Sequence, residues 1–282
     1  MTFTLAHHVD SYPELPVEKG RSGGGVGAWV PEMKHTFLAK YVEGTRQARK
    51  KFPKRVFVDL FCGPGRIQVK GETITRHGGA LVAWHHSKLD AASFSSCLIG
   101  DLDDERVSAC DVRLRAAGAP VKVFNGPADE TVHKIVDAIP KGALCLAYLD
   151  PYNLQFLTFN IIEKLATLKH VDFAVHFSTM DLRRNVLMEY NPDRARFDMT
   201  APGWREHIDP QAFVRGDADE AFFDYWCSLV TNLGFTISKR MPLVRGDGNR
   251  PLYHLVFFSR HPLPNRIWGD VAQGPNRELD FG

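Results

Sequence analysis

VFVDLFCGPGR, from Val56 to Arg66, joins a short apolar run to an acid and then to a glycine–proline–glycine turn. Such a run suits a strand of a parallel sheet, buried on both faces, whose C-terminal tip delivers the chain to a ligand. Val56, Phe57 and Val58 supply the β-branched and aromatic side chains that pack well on a pleated surface. Gly63 and Gly65 let the backbone turn sharply and come close to a bound molecule. Asp59, at the tip, can accept hydrogen bonds from a cationic or donor-rich ligand group. The same residues also suit an ordinary strand-to-loop turn, so the fold has to be read from what flanks them.

An irregular loop to Gly79 follows, then a helix over Ala80–His86 and a second strand, Cys97–Gly100, that ends at Asp101. A helix (Asp103–Ala116), a third strand (Val121–Asn125), a helix (Asp129–Ala138) and a fourth strand (Leu144–Leu149) continue the alternation. A helix over Phe159–Leu168 and a fifth strand over Val171–Phe177 complete it. Strands alternating with helices at this spacing predict an α/β fold, doubly wound on a mostly parallel sheet. Near the end, a helix over Ala221–Leu233 leads to strands at Phe235–Arg240 and Leu252–Ser259. The segment between them, with Gly246, Asp247, Gly248 and Asn249, is too short for a helical crossover, which predicts a C-terminal antiparallel hairpin. Parallel strands closed by such a hairpin resemble the arrangement of class I S-adenosylmethionine-dependent methyltransferases, a Rossmann-type fold.

The chain has 282 residues, 44% hydrophobic and 24% charged, with a net charge of +2. These are the proportions of a globular protein, and the charge neither demands nor excludes nucleic acid. The five cysteines form no CxxC pair and three lie in strand-like runs, so they read as reduced core residues, with no metal site expected. No apolar stretch is long enough to span a membrane and the N-terminus has no signal-peptide core, which predicts a cytoplasmic location. Residues 1–30, with Gly23, Gly24, Gly25 and Gly27 among few apolar positions, are expected as a mobile arm or lid. Residues 31–282 are expected as one domain. From Glu32 to Lys51, Phe37, Leu38, Tyr41 and Val42 mark a helix with a basic far side. Its Lys34 and His35 are candidates for substrate contact or simply members of a solvated face.

A dinucleotide fingerprint needs a third glycine opening directly into a helix, and Gln68 stands at that position. Asp101 lies well beyond the roughly 20-residue spacing expected for the ribose-binding acid of such sites. No GK[ST] follows the turn, so a P-loop is excluded. A cofactor with a nucleoside and an amino-acid tail but no phosphates remains, and S-adenosylmethionine fits. Asp59, Phe61, Gly63 and Gly65 would hold its methionine end and Asp101 its ribose. Asp103 competes with Asp101 but also suits the cap of the following helix. Asp129 suits either an adenine contact or a helix cap.

The tip of the fourth strand reads LAYLDPYNL. Asp150, Pro151 and Tyr152 resemble the (D/N/S)PP(Y/F) motif of amino-directed nucleic-acid methyltransferases, with one proline in place of two. There Asp150 would accept from an exocyclic amine and Tyr152 would stack on a base. An Arg- and Pro-rich insertion at about 182–215 adds Arg183, Arg184 and Arg205, with Trp204 as a stacking surface, which suits an anionic polymer. Intramolecular pairing with Asp181, Glu189, Asp193 and Asp198 accounts for the same arginines.

Taken together, GVGAWVPEMKHTFLAKY (Gly25–Tyr41), VFVDLFCGPG, LAYLDPYNL, HFSTMDLRRN (His176–Asn185), APGWRE (Ala201–Glu206) and LYHLVFFSRHPL (Leu252–Leu263) resemble the bacterial three-Cys-motif partner (TcmP) family. The resemblance implies a methyltransferase-like fold and a partner protein whose three cysteines hold an iron–sulfur cluster for radical-SAM-like chemistry. Two functions suit the whole. The first is an S-adenosylmethionine-dependent methyltransferase acting on nucleic acid, DNA or RNA. The second is a non-catalytic or regulatory subunit that presents substrate to the partner.

Overall fold

The computed structural model describes residues 5, 9–20 and 23–272. The first part of the arm expected at 1–30, and the last ten residues of the expected domain, lie outside the described residues.

A π-helical turn (Val30–His35) runs into helix α1 (Thr36–Gly44) and, past Thr45, α2 (Arg46–Lys50). Strand β1 (Arg55–Asp59) leads through the glycine turn to a small hairpin, β2 (Arg66–Gln68) and β3 (Thr75–His77), and then to α3 (Gly79–Ser87). The alternating core follows: β4 (Ser96–Asp101), α4 (Asp104–Ala116), β5 (Val121–Asn125), α5 (Ala128–Ala138), β6 (Leu144–Leu149), α6 (Phe159–Ala166) and β7 (His170–Phe177). Helix α7 (Thr179–Glu189), the short α8 (Trp204–His207) and α9 (Pro210–Arg215), and α10 (Ala218–Asn232) come next. The chain closes with β8 (Thr236–Ile237), β9 (Leu243–Arg245), β10 (Pro251–Ser259) and α11 (Pro262–Val271).

The sheet runs β5-β4-β1-β6-β7-β10-β8, with β9 also paired to β10. The first five strands are parallel, and β10 is antiparallel to both β7 and β8. This is the doubly wound sheet with a closing hairpin that the sequence predicts. Period-2 alternation explains the layers. Val56 and Val58 of β1 face a core shared with α5, α6 and α10, whereas Phe57 faces one shared with α1, α3, α4 and α11. The central strands β1, β4 and β6, covered on both faces, are largely apolar between their ends, whereas the edge strand β5 is mostly exposed.

Two connections take on structure that the sequence did not reveal. The loop after the glycine turn contains the β2–β3 hairpin, and the link to β10 contains β9. The helix over 32–51 differs more. Lys34, His35, Lys40 and Arg49 are all buried, because the run lies beneath α3 and α11, and the exposed basic residues are confined to Lys50 and Lys51 at its end. The described part of the expected arm is bonded to the body. Asp10 pairs with Arg113, Glu18 pairs with Arg106, and Val26 N–H donates to Gln68 O at 2.8 Å. Among the described residues no helix is long and apolar enough to cross a membrane.

Candidate functional site

In an open sheet of this kind ligands collect outside the carboxyl ends of the strands, where the connections diverge to either side. Here that point is between β1 and β6. Asp59 is in register with Ile99 of β4 and Tyr148 of β6, which puts Asp59, Asp101 and Asp150 on one rim. A cavity of about 1170 Å³ opens over this rim, and all three acids line it.

The turn after β1 is held from both sides. Asp59 accepts the Phe61 N–H at 3.0 Å, and Asp101 accepts the Gly63 N–H at 2.9 Å. Gly63 and Gly65 have φ of +55° and +77°, which glycine adopts without strain. A Cβ on Gly65 would also stand 3.3 Å from the Cα of Cys110 on α4, so the turn and α4 approach as closely as glycine permits. The turn then enters the β2–β3 hairpin rather than a helix. Helix α3 begins only after that hairpin, although its start returns to the turn, where the Gly78 N–H donates to Gly65 O at 2.7 Å.

Asp101 Oδ1 accepts a second backbone donor, the Asp103 N–H at 3.1 Å. Each carboxylate oxygen has two lone pairs, so Asp101 retains one acceptor site per oxygen. Asp103 caps α4 by accepting the Arg106 N–H, the alternative role the sequence offered it. Pro127, not Asp129, occupies the N-cap of α5, and Asp129 lines the cavity from the first turn of that helix. Asp59 is 2% exposed. Burial pushes its carboxyl well above the ordinary value, against the Phe61 hydrogen bond, with the charges of Asp150 and Asp101 adding to the rise. Such a carboxyl is stabilised by a cationic ligand group.

The tip of β6 is organised differently from the sequence expectation. Asp150 lines the cavity but is already engaged by neighbouring side chains. It accepts from Lys34 Nζ at 2.6 Å, from His176 Nδ1, and from the Tyr148 hydroxyl at 3.5 Å. Burial favours its neutral form, but Lys34 and His176 together hold its carboxyl well below the usual carboxylate range. Asp150 is thus the ionised centre of a cluster. Burial and Lys34 push His176 below its ordinary value, although Asp150 opposes them. Burial also takes neighbouring His35 down to about 3. Pro151 is buried and Tyr152 is 56% exposed at the mouth.

Four polar side-chain atoms among the residues lining this cavity are buried without a hydrogen-bond partner: His35 Nδ1, Thr158 Oγ1, His176 Nε2 and the Tyr253 hydroxyl. Buried polar groups are nearly always satisfied, so their clustering points to a ligand with complementary donors and acceptors. The sequence did not single out His176, Tyr148, Tyr253 or Thr158 as site residues. The one signal was the polar His176 near the end of β7, after the apolar run Phe173–Val175.

The basic insertion does not form the expected grip. Arg183 pairs with Asp219, Arg196 with Asp181, Arg205 with Asp198 and Arg215 with Asp217. Trp204 is 1% exposed, and its indole donates to Asp198 at 3.0 Å, so it is a core residue and not a stacking surface. Arg183, Arg184, Trp204 and Arg205 all lie outside the cavity lining, whereas Lys34 and His35 are within it. Acids within and beside the insertion thus engage Arg183, Arg196, Arg205 and Arg215, while Arg184 is exposed. No group of three or more His, Cys, Asp or Glu side chains among the described residues is placed to hold a metal ion.

No protein-family model matches the chain, and neither does any curated protein. Solved structures are similar in fold. An O-methyltransferase from Bacillus cereus in complex with SAH shares 9% identity over 80% of this chain and 80% of its own, with a TM-score of 0.46. An rRNA methylase from Streptococcus thermophilus shares 13% identity over 80% of this chain and 93% of its own, with a TM-score of 0.40. At these identities the likeness concerns the fold, and the chemistry of this chain rests on its own residues.

Proposed function

We propose that the chain binds S-adenosylmethionine over the tips of β1 and β4 and transfers its methyl group to an acceptor held beyond the tip of β6. The observation that carries this reading is a single cavity with two chemically distinct ends. One end has a glycine turn locked by Asp101 and the buried Asp59, with Asp103 and Asp129 also in the lining, a set of acids that repels a pyrophosphate. The other has the Asp150 cluster and its unpartnered polar atoms.

The residues present fit that cofactor. Asp101 has acceptor capacity left for the two ribose hydroxyls. Asp59 and the turn suit the methionine ammonium, whose positive charge would relieve the burial of the Asp59 carboxyl. Leu102, 65% exposed and lining the cavity beside Asp101, offers an apolar surface to the adenine, and Asp129 an acceptor for its amino group. The cofactor supplies an electrophilic methyl. The chain's own contribution is to hold an acceptor in line with it and to exclude water, and such positioning carries much of the rate.

A nucleic-acid acceptor, suggested by the Asp150–Tyr152 motif, and an iron–sulfur partner, implied by the TcmP resemblance, are finer proposals. Tyr152 and Phe156 support them, being 56% and 42% exposed while lining the cavity. They offer a ledge on which a base could stack or a partner could dock. Calorimetric titration of S-adenosylmethionine into wild-type protein and Asp101→Ala tests the main reading. Micromolar binding that the substitution abolishes supports it, and no binding by folded wild-type protein refutes it.

A further inference from the structure

Asp150 and His176 meet at one ring nitrogen only. With Asp150 ionised, His176 Nδ1 carries the proton and donates it to Asp150, which leaves the lone pair on Nε2. That Nε2 is buried, has no partner, and belongs to a residue lining the cavity. Beside it stands the Tyr253 ring, edge-on to the imidazole at 3.8 Å between centroids. The Tyr253 hydroxyl is the second unpartnered buried group of the cavity lining at this point. His176 Nε2 and the Tyr253 hydroxyl are thus two unpartnered polar atoms on adjoining rings of the cavity lining.

We propose that His176 is the general base of this site and that the acceptor it serves is a hydroxyl. The inference rests on the methyl-transfer reading and narrows it to O-methylation. A hydroxyl satisfies both orphaned groups at once, donating to His176 Nε2 and accepting from the Tyr253 O–H. An uncharged amine carries a lone pair ready to attack and needs no base before transfer, whereas a hydroxyl must lose its proton as its oxygen attacks. Asp150 is already the acceptor for Lys34, His176 and Tyr148, which leaves one lone pair on Oδ1 for any further donor.

In the step, the acceptor O–H bond breaks and its proton goes to His176 Nε2. The oxygen lone pair forms the bond to the methyl carbon, and the carbon–sulfur bond electrons return to sulfur. The resulting imidazolium is stabilised by Asp150, just as the imidazole was oriented by it. The charged and titratable groups facing His176 are Asp150 from the tip of β6, Lys34 from the π-helical turn, and Tyr253 from β10. Burial and Lys34 keep His176 unprotonated near pH 7, the form a base requires.

The test uses the full chain with S-adenosylmethionine, catechol as a hydroxyl probe and aniline as an amine probe. Calorimetry comes first: wild type and His176→Gln should bind the cofactor within about threefold of each other. A wild type that binds none overturns the methyl-transfer reading and this inference with it. When it binds, nitrogen-15 spectra of the wild type should show His176 as the Nδ1–H tautomer. Catechol added with S-adenosylhomocysteine should shift the Nε2 resonance. His176→Gln should slow catechol methylation by about 100-fold or more. Four results leave cofactor binding intact but overturn the base: an Nε2–H tautomer, preference for aniline, full activity in His176→Gln, or neither transfer to catechol nor an Nε2 shift.

Discussion

Asp101 Oδ2 accepts the Gly63 N–H at 2.9 Å, tying the tip of β4 to the turn that leaves β1. The bond couples two roles in one carboxylate, since the group that fixes the turn is also the group placed to receive a ribose. Replacing Asp101 by Ala should therefore reduce cofactor affinity and loosen the turn together. The expected loss of stability is about 1–3 kcal/mol, the range for a charge-assisted hydrogen bond. Asp101→Asn, which keeps one carbonyl oxygen, should recover much of the stability and less of the affinity. Urea unfolding beside cofactor titration separates the two.

The two glycines of the turn should not respond alike. A Cβ on Gly65 meets the Cα of Cys110 at 3.3 Å, which is backbone and cannot step aside. One on Gly63 meets only the end of the Arg106 side chain at 3.2 Å. Both positions have positive φ, so each Ala substitution costs about 1 kcal/mol in backbone strain. Gly65→Ala should add the cost of moving α4, and its denaturation midpoint should be clearly the lower of the two.

Removing Asp150 leaves a buried cation and an imidazole without their shared acceptor. Lys34 and Asp150 have side chains 9% and 20% exposed, so the pair is largely withdrawn from water. Asp150→Ala should destabilise the fold by about 2–4 kcal/mol, close to the range for a broken buried pair. The combined variant Asp150→Asn with Lys34→Met should be less destabilised than Asp150→Ala. Thermal unfolding of the series measures this, and equal losses in both would contradict it.

Asp172 gives a pH signature remote from the site. It accepts from the Tyr41 hydroxyl at 2.9 Å, and burial raises its carboxyl to about 6 from 3.8, against hydrogen bonds from Ser259 and Tyr41. A raised acid favours the folded state when protonated. Its contribution is therefore complete below about pH 4 and is lost as pH rises through about 6. Asp172→Asn should stabilise the protein by about 1–3 kcal/mol at pH 8 and little at pH 4. Urea unfolding at the two pH values checks the sign.

Arg205 should matter to the fold and not to ligand binding. Its guanidinium pairs with Asp198 and donates to the carbonyls of Glu189 at 2.6 Å and Arg194 at 2.5 Å. Arg205→Ala should cost about 1–3 kcal/mol and leave cofactor affinity unchanged in the same titration.

The sheet was legible because strands buried on both faces read as apolar runs. The expected bounds of Leu144–Leu149 coincide with β6, and those of Val121–Asn125 with β5, an edge strand that is mostly exposed. The β2–β3 hairpin left no such trace, since Arg66, Gln68, Thr75, Arg76 and His77 give no apolar alternation. The acids at the strand tips were legible for the same reason as the strands: a charge ends each run. The cluster around Asp150 was not. Its Lys34 comes from a turn ahead of the sheet, and Tyr253 comes from a strand that reaches β7 only through antiparallel pairing. The arginines of the insertion misled because their spacing suits either phosphates or nearby carboxylates, and only the folded chain shows which acids lie within reach.

The most direct test is a crystal structure of the protein with S-adenosylhomocysteine. The account predicts both ribose hydroxyls on the Asp101 carboxylate, the amino-acid end against Asp59 and the Gly63–Gly65 turn, and the sulfur directed towards His176. A nucleoside bound away from Asp101, or a sulfur directed away from the Asp150 cluster, would contradict it.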